Sequence, residues 1–233
     1  MKKEQIDRYQ DPETAANALL DILITKTRSA IRRKGDAVWA VSGGSSIHKI
    51  YNALKARSPE WSDLAGKLTV LWVDERHVPY SSENSNYGNA YRTFWSNNKG
   101  VKLLPVPYGR SVEESTSLYR KTLDKHNLKR GSIDMTILGM GTDGHVASLF
   151  PGHQQLLEKH EDVASVRYDK VEQPRVTMTF PMINASDSIL LYFYGTEKGE
   201  VFKKALHAGD IGQYPVCGLQ SRKLHAFTDQ QVV

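Results

Sequence analysis

The run LTVLWV, residues 68–73, contains no charged side chain and lies between polar segments. A continuous run of this kind is typical of a strand that is buried on both faces of a parallel sheet. Similar short runs at 37–41, 133–138 and 188–194 predict further strands of the same type. The sequence therefore favours an α/β fold built on a parallel sheet.

Helical patterns separate these strands. The first helix is predicted to begin after Asp11, with Pro12 in its first turn, and to end at Gly35. Further helices are predicted at 46–57, 87–95, 112–126 and 197–207, a strand at 103–106, a hairpin from 163–168 and 175–180, and short strands within 216–227. This alternation predicts one domain over residues 1–233, with a three-layer, mostly parallel Rossmann-like sheet flanked by helices.

Three polar loops follow predicted strands, and they are the segments richest in chemistry. They are the first glycine loop (42–46), the segment 74–86, and the second glycine loop (139–152). In α/β sheets ligands bind at the carboxyl ends of the strands. We therefore expect a ligand site where these three loops meet.

The second glycine loop contains Gly139-Met140-Gly141-Thr142-Asp143-Gly144, which matches the spacing G-x-G-x-x-G of a dinucleotide-binding turn. That function requires the last glycine to open a full helix, whose N-terminus holds the pyrophosphate. Pro151 and Gly152 end any helix within two turns of Gly144, so the loop is not predicted to bind a dinucleotide.

The same loop presents Asp143 and His145 two residues apart. A carboxylate beside an imidazole fixes its tautomer and raises its basicity, which suits a general base. From these residues alone, the alternative is a turn capped by Asp143 with a structural His145.

The other two loops also leave alternatives open. Gly43, Gly44, Ser45 and Ser46 stand between a strand and a helix, where free backbone N–H groups favour an anion. A plain turn with a serine N-cap fits the same residues. The segment 74–76, Asp-Glu-Arg, is either a salt-bridged strand end or part of a site.

Composition limits the class of protein. The single cysteine, Cys217, excludes an intrachain disulfide, the N-terminal segment has no apolar core of a signal peptide, and the run 189–194 is too short to span a bilayer. The net charge is +5, but Lys and Arg are scattered. We expect a cytoplasmic monomer or weak homodimer with no nucleic-acid partner, no membrane partner, no metal site and no cofactor.

Several blocks together resemble a known family. The sequence LGMGTDGHVASLFPG, 138–152, and WVDERHVP, 72–79, with Ser85-Asn86 downstream, resemble the two signatures of 6-phosphogluconolactonases. SGGS at 42–45, PRVTMT at 174–179 and Gly195-x-x-Lys198 resemble their remaining blocks. The matches occur in family order over about residues 37–205.

The resemblance implies hydrolysis of 6-phosphoglucono-1,5-lactone, a carboxylic ester hydrolase step in the oxidative branch of the pentose phosphate pathway. The ligand implied is a small phosphorylated sugar lactone. Its implied phosphate site consists of Gly43, Gly44, Ser45, Ser46, Arg175 and Lys198. The implied catalytic residues are His145, which activates water, Asp143, which orients the imidazole, Arg76, which stabilises charge on the lactone oxygen, and Asp74, which orients hydroxyls or the water.

Two alternatives remain. A glucosamine-6-phosphate deaminase resembles this family in its loops, but has Asp-Glu-Tyr at 74–76 and I-A-F-N-E-P where this chain has VASLFP at 146–151. Its chemistry needs an acidic residue after the histidine, and this chain has none there. A non-catalytic sugar-phosphate sensor would keep the first glycine loop without needing Asp143 and His145.

Overall fold

The computed structural model describes residues 6–232, so residues 1–5 and 233 of the predicted domain, including the start of the N-terminal segment, lie outside the described part. The strands are β1 (Ile6–Arg8), β2 (Ala37–Val41), β3 (Leu68–Trp72), β4 (Asp74–Arg76), β5 (Lys102–Leu104), β6 (Met135–Leu138), β7 (Val163–Val166), β8 (Arg175–Met178), β9 (Ser188–Tyr192) and β10 (Leu224–Thr228). The helices are α1 (Pro12–Lys34), α2 (Ser45–Ala56), α3 (Asn86–Thr93), α4 (Val112–Lys125), α5 (Phe180–Asn184) and α6 (Thr196–Ala208).

Seven strands form one sheet in the order β1-β10-β9-β6-β2-β3-β5, and every neighbouring pair is parallel. Every residue of β2, β6 and β9 is buried, as expected of central parallel strands covered on both faces. The predicted α/β fold, a parallel sheet flanked by helices, is confirmed.

Helix α1 begins and ends where the sequence predicts, because its caps and its hydrophobic periodicity agree. The Asp11 side chain accepts a hydrogen bond from the N–H of Thr14 at 2.7 Å, and Gly35 ends the helix with φ +92°. The buried face of α1 packs against β2, β6, β9 and β10. Thr27 on this face accepts a hydrogen bond from Trp39 Nε1 at 2.9 Å, which ties the helix to β2.

A second, antiparallel sheet has the order β4-β8-β7. The predicted hairpin of β7 and β8 is confirmed, although the strands are shorter than expected. The sequence predicts a loop over the whole segment 74–86, but its first three residues form β4, which pairs with β8. Only Val73 separates β3 from β4, so this small sheet continues from the carboxyl end of β3.

Three other expectations differ from the structure. Strand β1 is not predicted, because two of its three residues are charged and only pairing with β10 makes it a strand. Residue 180 begins α5 instead of ending a strand, with Pro181 in the first turn. The tail 216–227 contains short 3-10 turns and then one strand, β10.

The strand order reverses between β2 and β6. From β2 the chain proceeds to β3 and β5 on one side, and from β6 to β9 and β10 on the other. Such a reversal opens a crevice at the carboxyl ends of the two strands, where ligands of α/β proteins bind. No helix within 6–232 is long and apolar enough to cross a membrane.

Candidate active site

A cavity of about 190 Å³ lies at this reversal point. It is lined by Ser42, Gly43, Gly44, Ser45, Ser46, Asp74, Arg76, Gly139, Met140, Gly141, His145, Ala147, Arg175 and Lys198. The three loops singled out from the sequence therefore meet around one cavity. Of the predicted site residues, only Asp143 is not part of its lining; it lies behind His145.

The first glycine loop leads directly into α2. The residue before the helix is Gly44, with φ +87°, and no side chain caps the helix start. The serine N-cap alternative is therefore wrong. An uncapped helix start presents backbone N–H groups and the positive end of the helix dipole, which together suit an anion. Gly43 is also required sterically, because a Cβ there would overlap the side-chain amide of Asn86.

The second glycine loop holds the imidazole. Nδ1 of His145 lies 2.6 Å from Oδ1 of Asp143, and the same oxygen accepts a hydrogen bond from the His145 N–H at 3.1 Å. Partial burial raises the pKa of Asp143, but the hydrogen bonds and charge of His145 outweigh it, so this pKa lies below its ordinary value. An ionised Asp143 makes Nδ1 the protonated nitrogen and leaves Nε2 as a proton acceptor.

This loop does not open an α-helix. Residues 139–162, between β6 and β7, contain a single 3-10 turn, Gln154–Leu157, and no α-helix. The prediction that no full helix follows Gly144 is therefore confirmed, so the loop lacks the helix N-terminus that a dinucleotide-binding turn needs. Gly141 has a different role: a Cβ there would overlap both Nδ1 of His145 and the carboxylate of Asp143.

Asp74 is buried at the start of β4, with only 5% of its surface exposed. Its Oδ2 accepts a hydrogen bond from the Ser148 hydroxyl at 2.7 Å, and its backbone carbonyl accepts one from the Asn86 amide at 2.9 Å. Among residues 6–232, neither Asp74 nor Arg76 forms an ion pair within 4.0 Å. The alternative of a salt-bridged strand end is therefore wrong.

Arg76 and Arg175 stand directly opposite each other in the antiparallel pairing of β4 and β8. The Nε atom of each is buried and has no hydrogen-bond partner in the described part of the chain. Burial lowers the pKa of Arg175, the Asp74 carboxylate raises it, and the Arg76 charge lowers it again; the net pKa is below the ordinary value. Like charges paired across strands repel, so this arrangement favours an anion between them.

Lys198 adds a third cation from the first turn of α6. Its Nζ donates to the Ser46 hydroxyl at 3.3 Å, which joins the start of α6 to the first glycine loop. Burial lowers the pKa of Lys198. Three cationic side chains and one helix N-terminus thus face the same cavity.

Several residues that shape this site have no role that the sequence predicts. Ser148 binds Asp74 across 74 positions of the chain, and no local pattern reports such a contact. Phe150 packs its ring 4.9 Å from that of His145 and 5.8 Å from the Arg175 guanidinium. Glu75 is buried between Asp74 and Arg76. Because side chains alternate along a strand, Glu75 points away from the face that Asp74 and Arg76 share. A prediction of 74–76 as a loop gives no sign of this difference.

Comparison with known proteins places the chain in a family. The family model "Glucosamine-6-phosphate isomerases/6-phosphogluconolactonase" matches residues 10–228. A curated protein named 6-phosphogluconolactonase, from Rhizobium meliloti (strain 1021), is 30% identical over 219 residues, which cover 92% of each chain.

Solved structures share the fold. A 6-phosphogluconolactonase from Shewanella baltica OS155 superposes with a TM-score of 0.86 at 23% identity, covering 96% of each chain. A structure described as a monomeric glucosamine-6-phosphate deaminase gives a TM-score of 0.78 at 19% identity, covering 98% of each chain. The fold alone therefore does not separate the two activities. The family match, which extends over nearly the whole chain, includes both of them. The chain belongs to the glucosamine-6-phosphate isomerase/6-phosphogluconolactonase family.

Proposed function

We propose that this chain hydrolyses 6-phospho-D-glucono-1,5-lactone to 6-phospho-D-gluconate. One observation carries the proposal: a cavity lined by Arg76, Arg175 and Lys198 also contains an imidazole whose Nδ1 lies 2.6 Å from a carboxylate. A general base and an anion subsite in one cavity fit the hydrolysis of a phosphorylated ester. Relatives named 6-phosphogluconolactonase support the same reaction.

His145 is the proposed general base. With Nδ1 donating to Asp143, Nε2 accepts a proton from water as the water oxygen forms a bond to C1 of the lactone. The resulting tetrahedral intermediate carries a negative charge on the former carbonyl oxygen. When it collapses, the bond from C1 to the ring oxygen breaks, and that oxygen takes the proton back from the His145 imidazolium. Asp143 stabilises the imidazolium between the two transfers.

Arg76 is the proposed partner of the developing oxyanion. Its Nη1 is held by the carbonyl of Asn84 at 2.8 Å, which restricts the guanidinium before substrate binds. The hydrogen bond from Ser148 to Oδ2 of Asp74 leaves Oδ1 as the acceptor for a substrate hydroxyl or the attacking water. The reaction therefore uses fixed groups on β4 together with the second glycine loop.

The proposed phosphate subsite consists of Gly43, Gly44, Ser45 and Ser46 with Arg175 and Lys198. Backbone donors at the start of α2 and two part-buried cations match the charge of a phosphate dianion. This division puts the phosphate at the first glycine loop and the lactone ring toward His145.

The deaminase alternative is less well supported by the site. Phe150 occupies the position at which the deaminase motif has its glutamate, and its buried ring packs 4.9 Å from the His145 ring. The deaminase reaction needs an acidic residue there, and an aromatic ring supplies neither a proton nor a charge. A sensor would bind phosphorylated sugar without turnover.

The test compares wild type with His145→Ala on lactone generated in situ from glucose 6-phosphate by its dehydrogenase. We expect wild type to accelerate lactone loss above the spontaneous rate, and the variant to lose roughly 10²- to 10⁴-fold in kcat/KM, as expected for removal of a general base. Equal, spontaneous rates in both would reject the lactonase proposal. Wild-type activity retained in the variant would reject only the role of His145.

A further inference from the structure

Glu75 is a buried carboxylate that faces away from the cavity. It lies on β4 between Asp74 and Arg76, both of which line the cavity, and side chains alternate between the two faces of a strand. Only 4% of its surface is exposed. A buried carboxylate is expensive unless its oxygens are hydrogen-bonded, so its partners indicate its purpose.

The Glu75 carboxylate accepts four hydrogen bonds. Oε1 accepts from the N–H groups of Arg76 and Asn86 at 2.8 and 2.7 Å. Oε2 accepts from the N–H of Tyr87 at 2.8 Å and from the Ser85 hydroxyl at 3.1 Å. Asn86 and Tyr87 open α3, so Glu75 acts as a remote cap that fixes the start of this helix to β4.

The start of α3 in turn contacts both parts of the site. The Asn86 side chain lies so close to Gly43 that no Cβ fits between them, and it donates to the Asp74 carbonyl at 2.9 Å. The neighbouring Asn84 carbonyl accepts from Arg76 Nη1 at 2.8 Å. Residues 85–87, which Glu75 binds, therefore support the first glycine loop from behind. The Arg76 guanidinium is held by Asn84, which is not among the partners of the Glu75 carboxylate.

We propose that Glu75 is a positioning residue for phosphate binding: its carboxylate fixes residues 85–87, so that Asn86 sets the position of the first glycine loop. The proposal rests on the proposed phosphate subsite. Glu75 does not itself line the cavity, and it acts on the first glycine loop through Asn86. We call the hydrogen bonds between Glu75 and residues 85–87 the clamp. Weakening this clamp therefore affects substrate affinity more than the chemical step at His145.

The test uses Glu75→Gln, which keeps the shape of the side chain but replaces one acceptor oxygen with a donor. Each oxygen of Glu75 faces two N–H or O–H donors, so an NH2 group in place of one oxygen loses two hydrogen bonds. Glu83→Gln is the matched control, since it makes the same chemical change at an exposed position of the same loop. Asn86→Ala keeps the backbone N–H that binds Glu75 and removes the amide that touches Gly43.

Two measurements are made on each variant at a pH above about 7, where Glu75 is ionised: kcat and KM with 6-phosphogluconolactone, and the dissociation constant of inorganic phosphate by calorimetry. We expect Glu75→Gln and Asn86→Ala each to raise KM about tenfold with kcat within about threefold of wild type, and to weaken phosphate binding similarly. The double variant should be no worse than either single variant, because both break one connection. Glu83→Gln should match wild type.

An unchanged KM and phosphate affinity in Glu75→Gln, with only a lower melting temperature, would overturn the proposal. If Glu75→Gln does not fold, an unchanged KM in Asn86→Ala overturns it equally. If wild type hydrolyses no lactone, the proposed function fails, and the phosphate titrations still decide the role of Glu75. If wild type binds no phosphate, the subsite itself is absent and the clamp proposal is rejected with it.

Discussion

The two glycine loops leave neighbouring parallel strands and line one cavity, yet they are held in place differently. In the second glycine loop, His145 is held by contacts within the loop: the Gly141 N–H donates to the His145 carbonyl at 2.9 Å, and the His145 N–H donates to Asp143 at 3.1 Å. The first glycine loop is fixed from outside, by the Asn86 side chain packed against Gly43.

The element that follows each loop explains what it can do. The first loop opens α2 and offers backbone donors, whereas the second opens no α-helix and offers the side chains of Asp143 and His145. The loop with the dinucleotide spacing is thus not the one with the geometry of an anion cradle. Glycine spacing acquires a function only with the following element.

Gly141→Ala tests the second loop and should have the largest effect of the glycine substitutions. The new Cβ overlaps the atoms that join His145 to Asp143, so the imidazole must turn away from its proposed position. We expect kcat to fall about 100-fold with KM changed little, since displacing a catalytic group by about 1 Å costs that much. Steady-state kinetics on the lactone measure both constants. A rise in KM alone would contradict the assignment of this loop to the chemical step.

Gly43→Ala is the matched change in the first loop. Its Cβ overlaps the Asn86 amide, so the loop must move away from its support. We expect KM to rise about tenfold or more with kcat less affected, because the proposed phosphate donors lose their alignment. Gly66→Ala is the control, since open space surrounds that position. A fall in kcat without a change in KM would mean that the two loops do not divide binding and chemistry in this way.

The same contrast explains how far the sequence could predict this protein. Strand β2 was predicted at 37–41, and helix α1 from its caps, because burial on both faces and capping leave local patterns. Asp143 and His145 are two residues apart, so their contact was also readable. Contacts that join distant segments leave no such pattern.

Support for the site comes mainly from contacts of that second kind. Ser148 binds Asp74 from another loop, and Glu75 binds the start of α3. The packing of Phe150 between His145 and Arg175 also depends on the tertiary structure. The sequence thus indicates most of the residues that face the cavity and the contact of Asp143 with His145, but not the contacts between distant segments that hold the rest of the site.

The two supporting carboxylates, Asp143 and Glu75, provide a last test of the contrast, made on stability instead of kinetics. The pKa of Asp143 is lowered. Burial raises the pKa of Glu75 from its ordinary 4.5 to about 7, and the charge of Asp74 raises it further, although three backbone N–H donors lower it. A carboxyl with a raised pKa binds its proton more tightly in the folded chain. Its stabilising contribution is therefore fully present below about pH 4.5 and is lost as the pH rises through about 7.

We therefore expect the free energy of unfolding of wild type to fall relative to that of Glu75→Gln between about pH 4.5 and 7, by up to about 3 kcal/mol. Denaturant titrations at several pH values measure the difference, and Glu83→Gln shows the effect of the same substitution at an exposed position. A constant difference across this range would mean that the four donors keep Glu75 ionised throughout. Glu75 would then resemble Asp143 in the second loop, because the hydrogen bonds to its carboxylate would offset the cost of burying the charge.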